Sequence, residues 1–193
     1  MAVLASGTGT ILEAILEAAV PVTTVVVDRP CRALDVASAA GAEAVLVDRR
    51  AWGGFGPAFN RHGYTEALTA ALLARQADLV CMAGFGTVLD APVHEAFPGR
   101  ILNTHPSLLP AFPGWHAVRD ALAAGVAETG CTVHVATLEL DAGPVLAQEA
   151  VAVRPDDSAE SLHERIKTVE RRLYPGTILR VLAEREELAG RAR

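Results

Sequence analysis

Cysteine, positive charge and long hydrophobic runs are all scarce in this sequence, and each shortage excludes a class of protein. Its three cysteines, Cys31, Cys81 and Cys131, lie far apart and form no CxxC pair. An odd, sparse set of this kind suits free thiols filling a core in a reducing compartment rather than a disulfide framework. The formal net charge of -6 excludes a general nucleic-acid binder, because neutralising phosphates needs a basic face. It leaves room for a small anion in a pocket rich in N–H donors. No apolar run approaches the ~20 residues of a membrane span. The start, Met1 to Gly7, has no basic region ahead of its glycine turn and does not read as a signal peptide. Together these absences point to the cytoplasm. There is also no GxSxG element, which disfavours a covalent hydrolase. No cysteine-histidine spacing resembles a zinc site, and His62, His94, His134 and His163 are scattered and read as surface or structural residues.

What remains is an ordinary globular composition, with 51% apolar and 21% charged residues in 193. That length suits one domain, 1–193, able to bury a core without staples. Short apolar runs alternate with longer amphipathic stretches. Strands are predicted at Val3–Ala5, Val22–Val27, Ala44–Val47, Leu79–Met82 and Ile101–Asn103, with helices at Thr10–Ala19, Cys31–Ala40 and Phe59–Arg75. Gly41 is the expected stop of the second helix, and Ala51–Gly56 reads as a mobile loop. Such alternation predicts an α/β fold, an open, mostly parallel twisted sheet with helices on both faces. After Gly130 the pattern changes. Thr132–Leu138 and Val145–Val153 are strand-like and predict a hairpin, or antiparallel strands extending the sheet. Ser158–Glu187 reads as a closing helix with Ser158 and Ser161 as competing N-caps, kinked or divided at Pro175-Gly176.

Ligands of open parallel sheets bind outside the carboxyl ends of the strands, and unusual loops stand at such ends here. Ser6-Gly7-Thr8-Gly9-Thr10 follows the first strand and opens the first helix, where glycine turns and helix N–H groups can make an anion site. A plain tight turn is the alternative. Leu12 stands where a dinucleotide fingerprint needs its third glycine, which counts against NAD. Asn103-Thr104-His105-Pro106-Ser107-Leu108-Leu109-Pro110 follows the fifth strand, with repeated prolines to hold it. Asn103 and His105 are two apart, so an extended backbone projects both to one side, where both can address one developing negative charge. Asp141, in Leu140-Asp141-Ala142-Gly143-Pro144, reads either as an Asx-type turn residue or as a carboxylate that orients His105.

These stretches resemble the phosphoribosylglycinamide formyltransferase family, folate-dependent enzymes of purine biosynthesis, over nearly the whole chain. The run Asn103–Pro110 with Phe112-Pro113-Gly114 looks like the family's signature, Leu140–Pro144 like its second catalytic loop, and Met82-Ala83-Gly84-Phe85 like its folate-side strand end. Glu164–Glu170 with Tyr174-Pro175 looks like its substrate helix. The resemblance implies 10-formyltetrahydrofolate as donor, glycinamide ribonucleotide as acceptor, no metal, no nucleic acid and no membrane, and it allows a homodimer. It implies Asn103, His105 and Asp141 as the catalytic trio. Gly7, Thr8, Gly9, Thr10, Arg61, Gly84, Pro106, Lys167 and Glu170 are implied on the substrate side. Phe85, Gly86, Thr87, Val88, Leu89, Asn103, Val135 and Asp141 are implied on the folate side.

The chain departs from the family in places. Gly86-Thr87 stands where Met-Arg is frequent, which predicts a roomier pterin side. Ile11 replaces a usual asparagine, and the first strand begins several residues late. Rival readings are a formyltransferase acting on methionyl-tRNA or a sugar amine, a formyltetrahydrofolate hydrolase, or a non-catalytic binding module of the same fold. The tRNA enzyme and the hydrolase would each carry an extra domain for which 193 residues leave no room. The intact trio argues against the last.

Overall fold

The computed structural model describes residues 1–191. Its elements run β1 (Ala2–Ala5), α1 (Thr10–Glu17), β2 (Thr24–Val27), α2 (Ala33–Ala39), β3 (Glu43–Leu46), a 3-10 turn (Arg49–Trp52), α3 (Arg61–Ala74), β4 (Val80–Ala83), α4 (Ala91–Ala96), β5 (Ile101–His105), α5 (Ala117–Ala123), β6 (Glu128–Val135), β7 (Val145–Ala152) and α6 (Ala159–Arg191). The strands form one seven-stranded sheet in the order β3-β2-β1-β4-β5-β6-β7. Pairing is parallel from β3 to β5 and antiparallel from β5 through β6 to β7. Both expectations for the last strands therefore hold, since they form a hairpin and also extend the sheet.

The inner strands β1, β2 and β4 are buried on both faces, which is why they read as unbroken apolar runs rather than alternating ones. Alternate residues feed two cores. Val3 and Ala5 pack with Leu12 and Ile15 of α1 and Tyr174 and Ile178 of α6. Ala2 and Leu4 pack with Tyr64, Leu68 and Leu72 of α3 and Val93 of α4. Chain order reverses between β1 and β4, so a crevice opens there at the carboxyl edge of the sheet.

Two local expectations need revision. Pro175-Gly176 does not divide α6, which is continuous from Ala159 to Arg191. Pro175 costs the helix one N–H bond. However, Tyr174, Pro175, Thr177 and Ile178 are all buried, and the Tyr174 hydroxyl donates to the Leu102 carbonyl at 2.9 Å. Tertiary anchoring on both sides of the proline outweighs the local loss. Ser158 and Ser161 do not compete either: each accepts from the other's backbone N–H, at 3.0 and 3.2 Å, in a reciprocal cap. The segment Ala51–Gly56 contains the end of the 3-10 turn, closed by Gly53 at φ 93, where a Cβ would sit 2.2 Å from the Ala58 carbonyl oxygen. Two short helices, α4 and α5, escaped the sequence reading because six or seven residues are too few to display a helical period.

Candidate active site

The carboxyl edge holds a cavity of about 470 Å³, inside the usual range for a small-molecule site. The alternation of β5 splits it. Thr104 turns towards α6, where Glu170, Lys167, His163, Pro106 and the Ser6–Thr10 loop complete a polar half. Asn103 and His105 turn to the other side, where Phe85, Gly86, Val88, Trp115 and Leu140 make the second half largely apolar.

In the polar half, Gly9 caps α1 with φ 76, a left-handed conformation that suits glycine. The first-turn N–H groups therefore open onto the cavity, as an anion site requires. Arg32 braces the loop by donating to the Thr8 carbonyl at 2.6 Å and by pairing with Glu13 of α1. The Ser6 hydroxyl is buried and has no hydrogen-bond partner, although it lines the cavity. An orphaned buried hydroxyl beside N–H donors fits a site shaped for a polar ligand. On α6, burial pushes the Glu170 carboxyl up to about 7, against the opposing pull of Thr104 and Lys167. Burial likewise holds His163 below its ordinary value, and the nearby Lys167 ammonium adds to this.

The other half centres on three polar side chains. His105 Nδ1 lies 3.4 Å from Asp141 Oδ2. Its Nε2 lies 2.9 Å from the Phe112 carbonyl oxygen, which can only accept, so Nε2 carries a proton. His134 stands directly across the β5–β6 ladder from Asn103. Its Nδ1 donates to the Val135 carbonyl at 3.1 Å, leaving Nε2 to accept from Asn103 Nδ2 at 3.3 Å. Burial holds His134 below its ordinary pKa, in keeping with that neutral form. Asn103 is thereby locked with its NH₂ forward, one N–H bound to His134 and the other free for the cavity. The Asp141 side chain is 3% exposed and accepts from the Gly114 N–H at 2.8 Å, so it is not closing an Asx turn of its own. Its backbone, at φ 54, is held left-handed.

The loop after β5 is fixed from behind by a polar knot. Thr132 Oγ1 donates to the Ser107 carbonyl at 2.7 Å and accepts from the Leu109 N–H at 3.1 Å. Gln148 Nε2 donates to both the Leu109 carbonyl and Thr132 Oγ1, at 2.7 and 2.8 Å. With its donors and acceptors met by β6 and β7, the loop holds His105 in place without regular structure of its own.

Four relations to known proteins bear on this site. A model of the formyl transferase family matches residues 1–178. The chain belongs to that family. Within it, the chain is 44% identical to the phosphoribosylglycinamide formyltransferase of Mycobacterium tuberculosis (strain H37Rv), over 99% of this chain and 88% of that protein. It is similar to the crystal structure of glycinamide ribonucleotide transformylase 1 from Symbiobacterium toebii, at 44% identity and TM-score 0.84, covering 92% of this chain and 84% of the other. It is also similar to the phosphoribosylglycinamide formyltransferase of Bacillus halodurans, at 35% identity and TM-score 0.87, with 97% of each chain covered.

Among the residues that resemblance to the family implied, the cavity gathers Gly7–Thr10, Gly84–Val88, Asn103, His105, Pro106, Asp141, Lys167 and Glu170. Arg61, Leu89 and Val135 stand outside its walls. Arg61 is exposed at the first turn of α3, Leu89 is buried in the core beneath the β4 loop, and Val135 packs at the end of β6. Since β6 ends at Val135 rather than Leu138, only Leu140 and Asp141 of the following loop reach the cavity. His134 and His163, read from the sequence as surface or structural residues, both stand at the site: the first is buried and touches Asn103, and the second lines the polar half. Arg29 and Trp115 also line it without having been singled out from the sequence. For His163 a signal existed: it lies four residues before Lys167, on the same helix face.

The expected gap at Gly86 is filled. A Cβ there would fall 2.2 Å from Trp115 Cη2, so the indole occupies the space a side chain would have taken. Thr87 lines the cavity, but its hydroxyl is committed elsewhere, donating to buried Asp28 at 3.0 Å and accepting from Arg49 at 2.9 Å. Among the described residues, no group of three or more His, Cys, Asp and Glu side chains is placed to hold a metal ion.

Proposed function

We propose that the two halves of the cavity divide two substrates and that Asn103, His105 and Asp141 carry the transfer between them. The protein transfers the formyl group of 10-formyltetrahydrofolate to the amine of glycinamide ribonucleotide, giving formylglycinamide ribonucleotide and tetrahydrofolate in purine biosynthesis. The polar half suits the ribonucleotide, with phosphate on the Gly7–Thr10 amides and amine near Glu170. The apolar half suits the flat rings of the folate, which supplies the formyl group.

Attack of the amine on the formyl carbon moves negative charge onto the formyl oxygen. The free N–H of Asn103 is the donor for that charge already in place, and the Nε2–H of His105 joins it on exchanging the Phe112 carbonyl for the formyl oxygen. Each such donor contributes about 3–4 kcal/mol of barrier lowering, because a buried dipole already in place needs no reorganisation. Asp141 faces Nδ1 at 3.4 Å and fixes the orientation of the ring. It also lies where it can help move the amine proton towards the departing folate nitrogen. No covalent enzyme intermediate is required, since an amine is itself a competent nucleophile.

The observation that carries this reading is the His105–Asp141 contact, placed beside Asn103 where the two halves meet. A double-mutant cycle tests it. His105→Ala should lower kcat/KM by about 100- to 1000-fold, and Asp141→Asn should lower it strongly with melting temperature retained. The double variant should be little worse than the poorer single one, because residues acting as one unit lose their function together. Fully additive losses, or an active Asp141→Asn protein that merely melts earlier, would return Asp141 to a structural role.

A further inference from the structure

We propose that Trp115 is a specificity-determining residue for the folate, an aromatic wall that this chain has built in exchange for a side chain at position 86. The inference rests on the assignment of the apolar half to the folate.

Trp115 is 70% exposed, so burial in the core does not explain its position. A lone exposed indole is ordinary on a protein surface; what sets this one apart is its place in the cavity wall against Gly86. One edge lies over Gly86, where an added Cβ would sit 2.2 Å from Cη2 and 2.9 Å from Cζ3. Both atoms lie at the far end of an exposed side chain, so an added Cβ displaces the indole rather than any backbone. The pair is therefore mutually exclusive: a side chain at 86 expels the indole, and the indole requires glycine. Beyond Gly86 the ring borders a cavity whose nearby walls are Phe85, Val88 and Leu140. A flat conjugated ligand entering this half meets an aromatic face that a short aliphatic residue could not offer.

The indole is also joined to the reacting groups through its own loop. The Gly114 N–H is on Asp141 and the Phe112 carbonyl is on His105 Nε2. Phe112 and Gly114 are both left-handed, at φ 54 and 88, so the loop's path is closely defined. A ligand that packs on Trp115 is consequently set against the same short loop that positions His105 and Asp141.

The test uses steady-state kinetics together with indole emission in Trp52→Phe protein, where Trp115 is the remaining tryptophan. Trp115→Leu should raise KM for 10-formyltetrahydrofolate roughly 5- to 20-fold, from lost stacking and apolar contact, while KM for glycinamide ribonucleotide stays within twofold. Gly86→Met should impair folate binding in the parent protein but cost much less when combined with Trp115→Leu. Tetrahydrofolate should perturb Trp115 emission after correction for its own absorbance, and glycinamide ribonucleotide should not. An unchanged folate KM in Trp115→Leu, or an equal cost of Gly86→Met with and without the indole, overturns the proposal. Val88→Asp separates the two levels. If it raises the folate KM while Trp115→Leu does not, the assignment of the apolar half stands and Trp115 falls. If emission answers to the ribonucleotide alone, the assignment itself is wrong.

Discussion

Glu170→Gln isolates the electrostatics of the polar half. In the folded protein burial raises this carboxyl from its ordinary 4.5 to about 7. Below pH 4.5 the group is protonated whether the chain is folded or not, and folding incurs no penalty. Between 4.5 and 7 the unfolded chain releases the proton first, so stability falls as pH rises. Above 7 the penalty is complete. At 1.36 kcal/mol per pH unit it reaches about 3 kcal/mol, and water reaching the half-buried carboxylate lowers this to roughly 1–3 kcal/mol. Glutamine has no proton to lose. The variant should therefore match the parent near pH 4.5 and exceed it at pH 8, with a melting temperature higher by roughly 3–10 °C for a chain of this size. The gain should come with a raised KM for glycinamide ribonucleotide, because stability is commonly given up at sites that bind charge. Thermal melts of both proteins from pH 4.5 to 8.5 provide the measurement. Parallel curves, with the same separation at every pH, would refute the reasoning and leave Glu170 without an electrostatic cost.

Gly9→Ala places a Cβ at φ 76, 3.3 Å from the Ala33 backbone. It should cost about 1–2 kcal/mol of stability and raise KM for the ribonucleotide while leaving that for the folate unchanged, as measured by denaturant melts and kinetics with each substrate varied in turn. Tyr174→Phe removes the buried hydroxyl bonded to the Leu102 carbonyl. It should cost about 1–2 kcal/mol, read as a lower melting temperature with kcat within about twofold. An unchanged melting temperature would mean that this bond does not anchor α6 around Pro175.

The sequence alone determined a good deal of this protein. Residues that act through local periodicity were legible: the apolar strands, the longer helices and the glycine turn after β1. So were Asn103 and His105, since a two-residue spacing on an extended strand puts both on one face whatever surrounds them. The polar and apolar halves of the site were not legible, because they follow from which helix covers each face of the sheet. His134 became a neighbour of Asn103 only through the antiparallel register of β5 and β6, which joins positions 31 apart in sequence. Pro175 read as a break because a proline's local cost is visible in sequence, whereas the burial of Tyr174 and Ile178 that overrides it is not. Gly86 read as missing bulk for the same reason. The indole that fills its place arrives from 29 residues further along the chain, and only tertiary packing brings a side chain from so far away to stand where a glycine left room.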